Sequence, residues 1–169
     1  CVNFMDGHLP YLPDEEYDEW GGTKRRKLQD EMDDQVWEFN GGRRPWWQRK
    51  ALEGLYDGTI RQMDAELERI VGTLQDRGVL DDTLVVITSD HGEGFGEPSR
   101  IRPGARVAAH GAGIHEVLTH VPLVVRHPDT ESDRVEGTAS LAEFPGVVRS
   151  ALAGDLGTDA FVPDGPVLV

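Results

Sequence analysis

The sequence predicts an α/β protein: an α/β/α sandwich built on a mainly parallel (mixed) central sheet. Three observations carry this. The run Leu84-Val85-Val86-Ile87 is short, apolar and rich in β-branched residues, as a strand buried on both faces is. The stretch Val121 to Arg126 reads the same way, with Pro122 tolerated near a strand's beginning. Between Pro45 and Gly78, apolar residues return at steps of three and four, which makes one stripe of a long helix. Helix, the turn at Asp81-Asp82 and then strand is the order an α/β fold requires.

Taken in order, Cys1 to Met5 reads as a strand ended by Asp6-Gly7. Pro10 and Pro13 keep the following stretch extended and deliver His8 at that strand's end. Residues 14–44 are charged and aromatic, broken by glycine pairs, and read as a loop with short helical pieces. The basic run Lys24 to Lys27, followed by acids, is most simply a solvated surface. Pro45 opens the long helix at a position that proline tolerates. Leu52, Leu55, Tyr56, Ile60, Met63, Leu67, Ile70, Val71 and Leu74 form its stripe, and Gly78 stops it. Residues 94–107 show no period and read as a loop. Leu141 to Leu152 has helical spacing interrupted at Pro145-Gly146, and the residues 166–169 read as a last strand. Strands are therefore expected at 2–5, 84–88, 121–126 and 166–169.

The chain's 169 residues suffice for one domain with a real core, and no internal repeat appears. The net charge is −14, and only Lys24, Lys27 and Lys50 are lysine, arginine supplying the other cations. Such a lysine-poor acidic surface is halophile-like, since salt screens its self-repulsion. It makes nucleic acid and anionic membrane poor partners. Cys1 is the only cysteine, so no internal disulfide forms. No leader and no membrane-length apolar run is seen, which leans the localisation to the cytoplasm. Both ends look cut from strands, so a piece of a longer protein is expected.

The chemistry gathers at Asp90-His91-Gly92, directly after the first buried strand. Open α/β sheets place their sites beyond such strand ends. One carboxylate and one imidazole on a rigid element suit a divalent cation. Taken alone, an Asp-His pair is more often a solvated turn. Of the later histidines, His110, beside a glycine, is the best candidate. His115 is expected on the helical turn before the second strand, while His120 and His127 read as structural or solvated.

The segments TLVVITSDHGE within LQDRGVLDDTLVVITSDHGEGFGE, then the His110-Gly111 pair, then THVPLVVRHP, together with the opening NFMDGHLPYLPDEEY, resemble the sulfatase family of the alkaline-phosphatase-like metallohydrolases. The resemblance covers most of residues 2–128, the C-terminal part of the catalytic core. It implies an alkaline-phosphatase-like sandwich, incomplete at the N-terminus, with residues 1–169 a partial catalytic domain that lacks the nucleophile segment. It implies that Asp90 and His91 are the second pair of metal ligands. It implies that His8, from a His-x-Pro-Tyr segment, and His110 contact the transferred group of a sulfate or phosphate ester. Ca²⁺ is the ion implied, with Mg²⁺, Mn²⁺ or Zn²⁺ fitting related branches. Cys1-Val2-Asn3-Phe4 does not match the family's Cys/Ser-x-Pro-x-Arg nucleophile segment, so an N-terminal complementing half is expected and the isolated chain is expected to be inactive. Sulfuric ester hydrolysis is the first reading. Phosphodiester or phosphonate hydrolysis, or an inactive binding or structural remnant, are the alternatives, and oligomeric state is left open.

Overall fold

The computed structural model describes residues 1–20, 27, 28, 38, 43–110, 114–128, 133–165 and 167. Helix α1 runs Trp46–Asp76, strand β1 Val85–Thr88, β2 Gly94–Pro98 and β3 Arg106–Ala109; α2 runs Glu116–Thr119, β4 Leu123–Arg126 and α3 Phe144–Ala153. Short 3₁₀ turns at Leu80–Asp82 and Leu141–Glu143 precede β1 and α3. The chain forms two compact units: Cys1–Thr73 with Asp90–Val121, and Leu74–Ser89 with Pro122–Val169. Among the described residues no helix is long and apolar enough to cross a membrane.

In the first unit, the front half of α1 buries Leu52 and Leu55 against Tyr11 and Ala108, with Leu9, Tyr56 and Phe95 packed around them. The Tyr11, Tyr56 and Phe95 rings meet edge-on or tilted, 5.1–5.9 Å apart, a geometry that aromatic quadrupoles favour. The helix begins just after Pro45, as predicted. Its stripe departs from the predicted one at Ile60, which is 42 % exposed, while Thr59 is buried. Thr59 tolerates this because its hydroxyl donates to the Tyr56 carbonyl (2.8 Å).

The predicted loop at 94–107 is instead a hairpin. β2 pairs antiparallel with β3, Phe95 opposite Ala108, with a register shift between Phe95 and Pro98. Two glycines and a proline in five residues hid the strand signal, because they mark irregular strands as often as loops.

In the second unit, β1 pairs with β4 antiparallel, Val85 opposite Arg126 and Thr88 opposite Leu123. Both two-stranded sheets among the described residues are antiparallel, so the parallel part of the expected mixed sheet is not seen there. The physical reason lies in the exposure. Val124 is 56 % exposed and no residue of β1 is fully buried, and one open face suits antiparallel pairs rather than parallel ones. Arg126 ties the unit's entry turn, donating to the Leu80 carbonyl (2.5 Å) and pairing with Asp81 (2.8 Å). Pro145 sits in the first turn of α3 and does not interrupt it.

Residues 2–5 are irregular, not a strand. The strand expected at 166–169 falls mostly outside the described residues, as do the basic run at 24–26 and the Gly111 that follows His110.

Candidate functional site

The segment Asp90 to Glu93 is held from two sides. The Gly92 N–H donates to the Leu118 carbonyl of α2 (2.8 Å). α2 is itself capped by His115, whose Nδ1 accepts from the Val117 N–H (3.2 Å), so His115 has a local structural task. Asp90 folds back through Oδ1, which accepts from the His91 N–H (3.0 Å), the local bond that short carboxylates favour in turns. Its side chain remains 88 % exposed.

His8 reaches the same place from the other end of the unit. Its N–H donates to the Met5 carbonyl (3.0 Å). Gln62 of α1 pins both ends of its segment, donating to Asp6 (3.0 Å) and accepting from the Asp14 N–H (2.8 Å). His110 follows β3 directly. Ala109 before it has φ 52°, in the left-handed region that costs an L-residue about 1–2 kcal/mol, and this turns the chain off the strand. The His110 ring lies 5.1 Å from that of His8 and 4.2 Å from that of His91. The structure therefore brings His8, Asp90, His91 and His110 into one cluster.

The three rings share a wiring pattern. His8 Nδ1 lies 2.6 Å from the Leu9 carbonyl and His91 Nδ1 2.8 Å from the Gly92 carbonyl. A carbonyl only accepts, so Nδ1 carries the hydrogen in both, and Nε2 of the neutral ring carries the lone pair. His110 turns Nδ1 toward Glu93 Oε1, 3.5 Å away.

Glu93 has only 3 % of its side chain exposed, and its Oε1 makes no hydrogen bond among the described residues. The Tyr11 phenol, buried in the core, bonds to the same carboxylate. Sequence reasoning quoted both residues inside motifs and gave neither a task. One signal was there: in an extended segment, positions i and i+2 share a side, which groups Glu93 with His91. Burial, then the charge and hydrogen bond of Glu93, push the Tyr11 phenol well above its usual range. The folded state thus holds this proton more tightly than the unfolded chain. Its stabilisation is complete below a pH of about 10, where an unfolded tyrosine titrates, and is lost above that at about 1.4 kcal/mol per pH unit. The variant Tyr11→Phe is expected to be less stable by about 1–3 kcal/mol at pH 8, because a buried carboxylate oxygen loses its donor. Above pH 10 its stability should fall less steeply than that of the parent. Denaturant titrations from pH 8 to 12 check this, and parallel pH curves would refute it.

The fit of a divalent ion to Asp90 and His91 is decided by their outward atoms. Asp90 Oδ2 and His91 Nε2 are 3.9 Å apart. Two ligand atoms each about 2.0–2.4 Å from one ion lie within about 4.8 Å of each other, so this pair can share one. The Nδ1–H bond of His91 to a backbone carbonyl is the outer contact that metal-binding histidines use. Among the described residues no group of three or more His, Cys, Asp or Glu side chains is arranged to hold an ion, and two ligand atoms are fewer than the four or more that a divalent ion takes.

Comparison with known proteins places this cluster in a family. The chain is 31 % identical over 126 residues to a steryl-sulfatase of Rattus norvegicus, covering 70 % of this chain and 22 % of that protein. It is 34 % identical over 122 residues to the steryl-sulfatase of Mus musculus (66 % and 20 %). It is 28 % identical over 96 residues to the arylsulfatase K of Bos taurus (56 % and 16 %). The chain thus spans about a fifth of the length of the curated relatives it matches. No solved structure matches it significantly. The family model described as Sulfatase matches residues 2–151, nearly the whole chain and every residue of the cluster; the chain belongs to the sulfatase family of the alkaline-phosphatase-like superfamily.

Proposed function

We propose that this chain is the part of a metal-dependent sulfuric ester hydrolase that supplies one metal-ligand pair and the oxyanion contacts. The observation that supports it most is the meeting of the His8, His91 and His110 rings beside Asp90, within a family of sulfate ester hydrolases. In this reading Asp90 and His91 would hold the ion. Members of the family generally use a divalent metal, and an ion bound there would polarise the sulfate as a Lewis acid. Ca²⁺ is the proposed ion because the likeness to sulfatases implies it; the Asp90 carboxylate suits it, while the His91 nitrogen would suit Zn²⁺ or Mn²⁺.

His8 spends its Nδ1–H on the Leu9 carbonyl, so Nε2 is its contact with a sulfate oxygen. Donation from that atom needs the ring's second proton, which makes the ring a cation facing an anion. His110 acts alike from the other side of the cluster. Donors already aimed at the growing charge are worth about 10²–10³ in rate each. The attacking group is assigned to sequence outside these 169 residues, and the layered sandwich to the protein as a whole.

The test uses the longer protein that contains this chain. Turnover of 4-nitrophenyl sulfate is expected to exceed that of 4-nitrophenyl phosphate and to vanish on chelation, returning with Ca²⁺. His8→Ala and His110→Ala should each lower kcat/KM about 10²–10³-fold. Asp90→Ala should raise the Ca²⁺ concentration needed for half-activity. Preferred turnover of the phosphate ester would move the assignment to the phosphohydrolases. Full activity in both histidine variants would remove these residues from the site.

A further inference from the structure

We propose that Glu93 is a positioning residue for His110: its buried carboxylate holds the imidazole through Nδ1–H and so reserves Nε2 for a ligand. Three observations carry this. First, Glu93 is almost wholly buried, yet its Oε1 lacks a hydrogen bond among the described residues. Buried carboxylate oxygens are rarely left so, and an orphan of this kind asks for a task. Second, the group it faces is His110 Nδ1 at 3.5 Å. That is about 0.5 Å beyond an ordinary N–H···O bond, and such bonds commonly shorten only when a ligand is bound. Third, His8 and His91 are both anchored by Nδ1 to an acceptor, each time a backbone carbonyl. His110 is the odd member of the cluster, and the carboxylate takes the carbonyl's place.

Tyr11 completes the arrangement. Its phenol faces the same carboxylate, whose charge and hydrogen bonding help hold the phenol's proton. Tyr11 is locked in the aromatic core with Tyr56 and Phe95, so the carboxylate has a fixed neighbour while its Oε1 faces the His110 ring. An ionised carboxylate has no hydrogen to give. The nitrogen that meets it must therefore carry one, and the far nitrogen, Nε2, is the one left over. The chain of contact from core to cluster is Tyr11, Glu93, His110. The bland alternative is that Glu93 is a polar core residue satisfied by Tyr11, with no influence on His110.

Two readouts on the ¹⁵N-labelled chain separate these. The first needs no ligand and does not depend on the proposed reaction. At pH 9, where an ordinary imidazole is neutral, two-bond ¹⁵N–¹H ring spectra report the His110 tautomer. Wild type should show Nδ1–H. Glu93→Gln, whose amide oxygen accepts the same bond, and Tyr11→Phe should keep it, and Glu93→Ala should shift the ring toward Nε2–H. The second rests on the oxyanion reading and uses inorganic sulfate with Ca²⁺ present. Glu93→Ala should weaken sulfate binding about tenfold, the scale of supporting contacts at such sites. Glu93→Gln should stay within about threefold of wild type, and Glu93→Ala should add nothing in a His110→Ala background. An Nε2–H ring in wild type, or an unchanged tautomer in a folded Glu93→Ala, overturns the proposal even if sulfate binds. Equal losses in both backgrounds make Glu93 a packing residue and overturn it too. If no variant binds sulfate the oxyanion reading fails, and the spectra still decide on Glu93. If Glu93→Ala does not fold, the wild-type and Glu93→Gln spectra decide.

Discussion

Replacing Gly92 with alanine is expected to destabilise the chain by about 3 kcal/mol or more, at the upper end of what single substitutions do. The new Cβ would stand 2.0 Å from the Val117 carbonyl oxygen and 3.1 Å from its carbon. Both atoms are backbone, held in α2, so no side chain can swing aside. Relief requires the 90–93 segment to move off α2, which breaks the Gly92 N–H bond to Leu118 (2.8 Å). The same movement carries Asp90 and His91 away from His110. On the proposed assignment of Asp90 and His91 to a Ca²⁺ ion, the variant should thus lose stability and Ca²⁺ affinity together. Denaturant unfolding and Ca²⁺ titration on the same sample check this. Unchanged stability would mean that the close approach of the two segments is not as described.

The second large effect is expected at Gly96. Its φ is 104°, a conformation L-residues avoid. A Cβ there would fall 1.6 Å from Arg49 Nη1 and 2.7 Å from Arg49 Cδ. Arg49 is buried, and its Nη1 donates to the Gly96 carbonyl (2.8 Å), which also accepts from Arg106 Nη1 (2.8 Å). Desolvation, then the neighbouring Arg106, already pull the Arg49 guanidinium below its usual range. Gly96→Ala adds backbone strain and displaces a buried cation from its acceptor. Together these should cost about 3 kcal/mol, the lower end for breaking a buried charged contact. Thermal unfolding of Gly96→Ala beside Gly104→Ala, where a Cβ would meet nothing within 4 Å, separates the collision from backbone strain common to both sites. Equal losses in the two variants would show that Arg49 yields freely.

How far the sequence carried can be judged from particular residues. Helix α1 was legible because its apolar stripe repeats over many turns and Pro45 and Gly78 bracket it. The β1 and β4 runs were legible as strands because β-branched residues concentrate there, but their relative direction was not. Direction depends on which faces are covered, and an apolar run promises two covered faces whether or not the chain supplies them. The β2–β3 hairpin was illegible because three of the five β2 residues are glycine or proline, and the space that calls for those glycines is filled by Val107 of the partner strand and by Arg49 of α1.

By itself the sequence determined the family, the α/β class and the four residues, three histidines and an aspartate, that are proposed for a metal and an oxyanion, because those rest on local order and chemistry. Only the tertiary structure decided that β1 and β4 run antiparallel, that His8 and His110 meet across a separation of about a hundred residues, and that Glu93 lies buried beneath His110. Such facts come from long-range packing, where one backbone's closeness to another sets which side chains meet, and no local pattern encodes that distance.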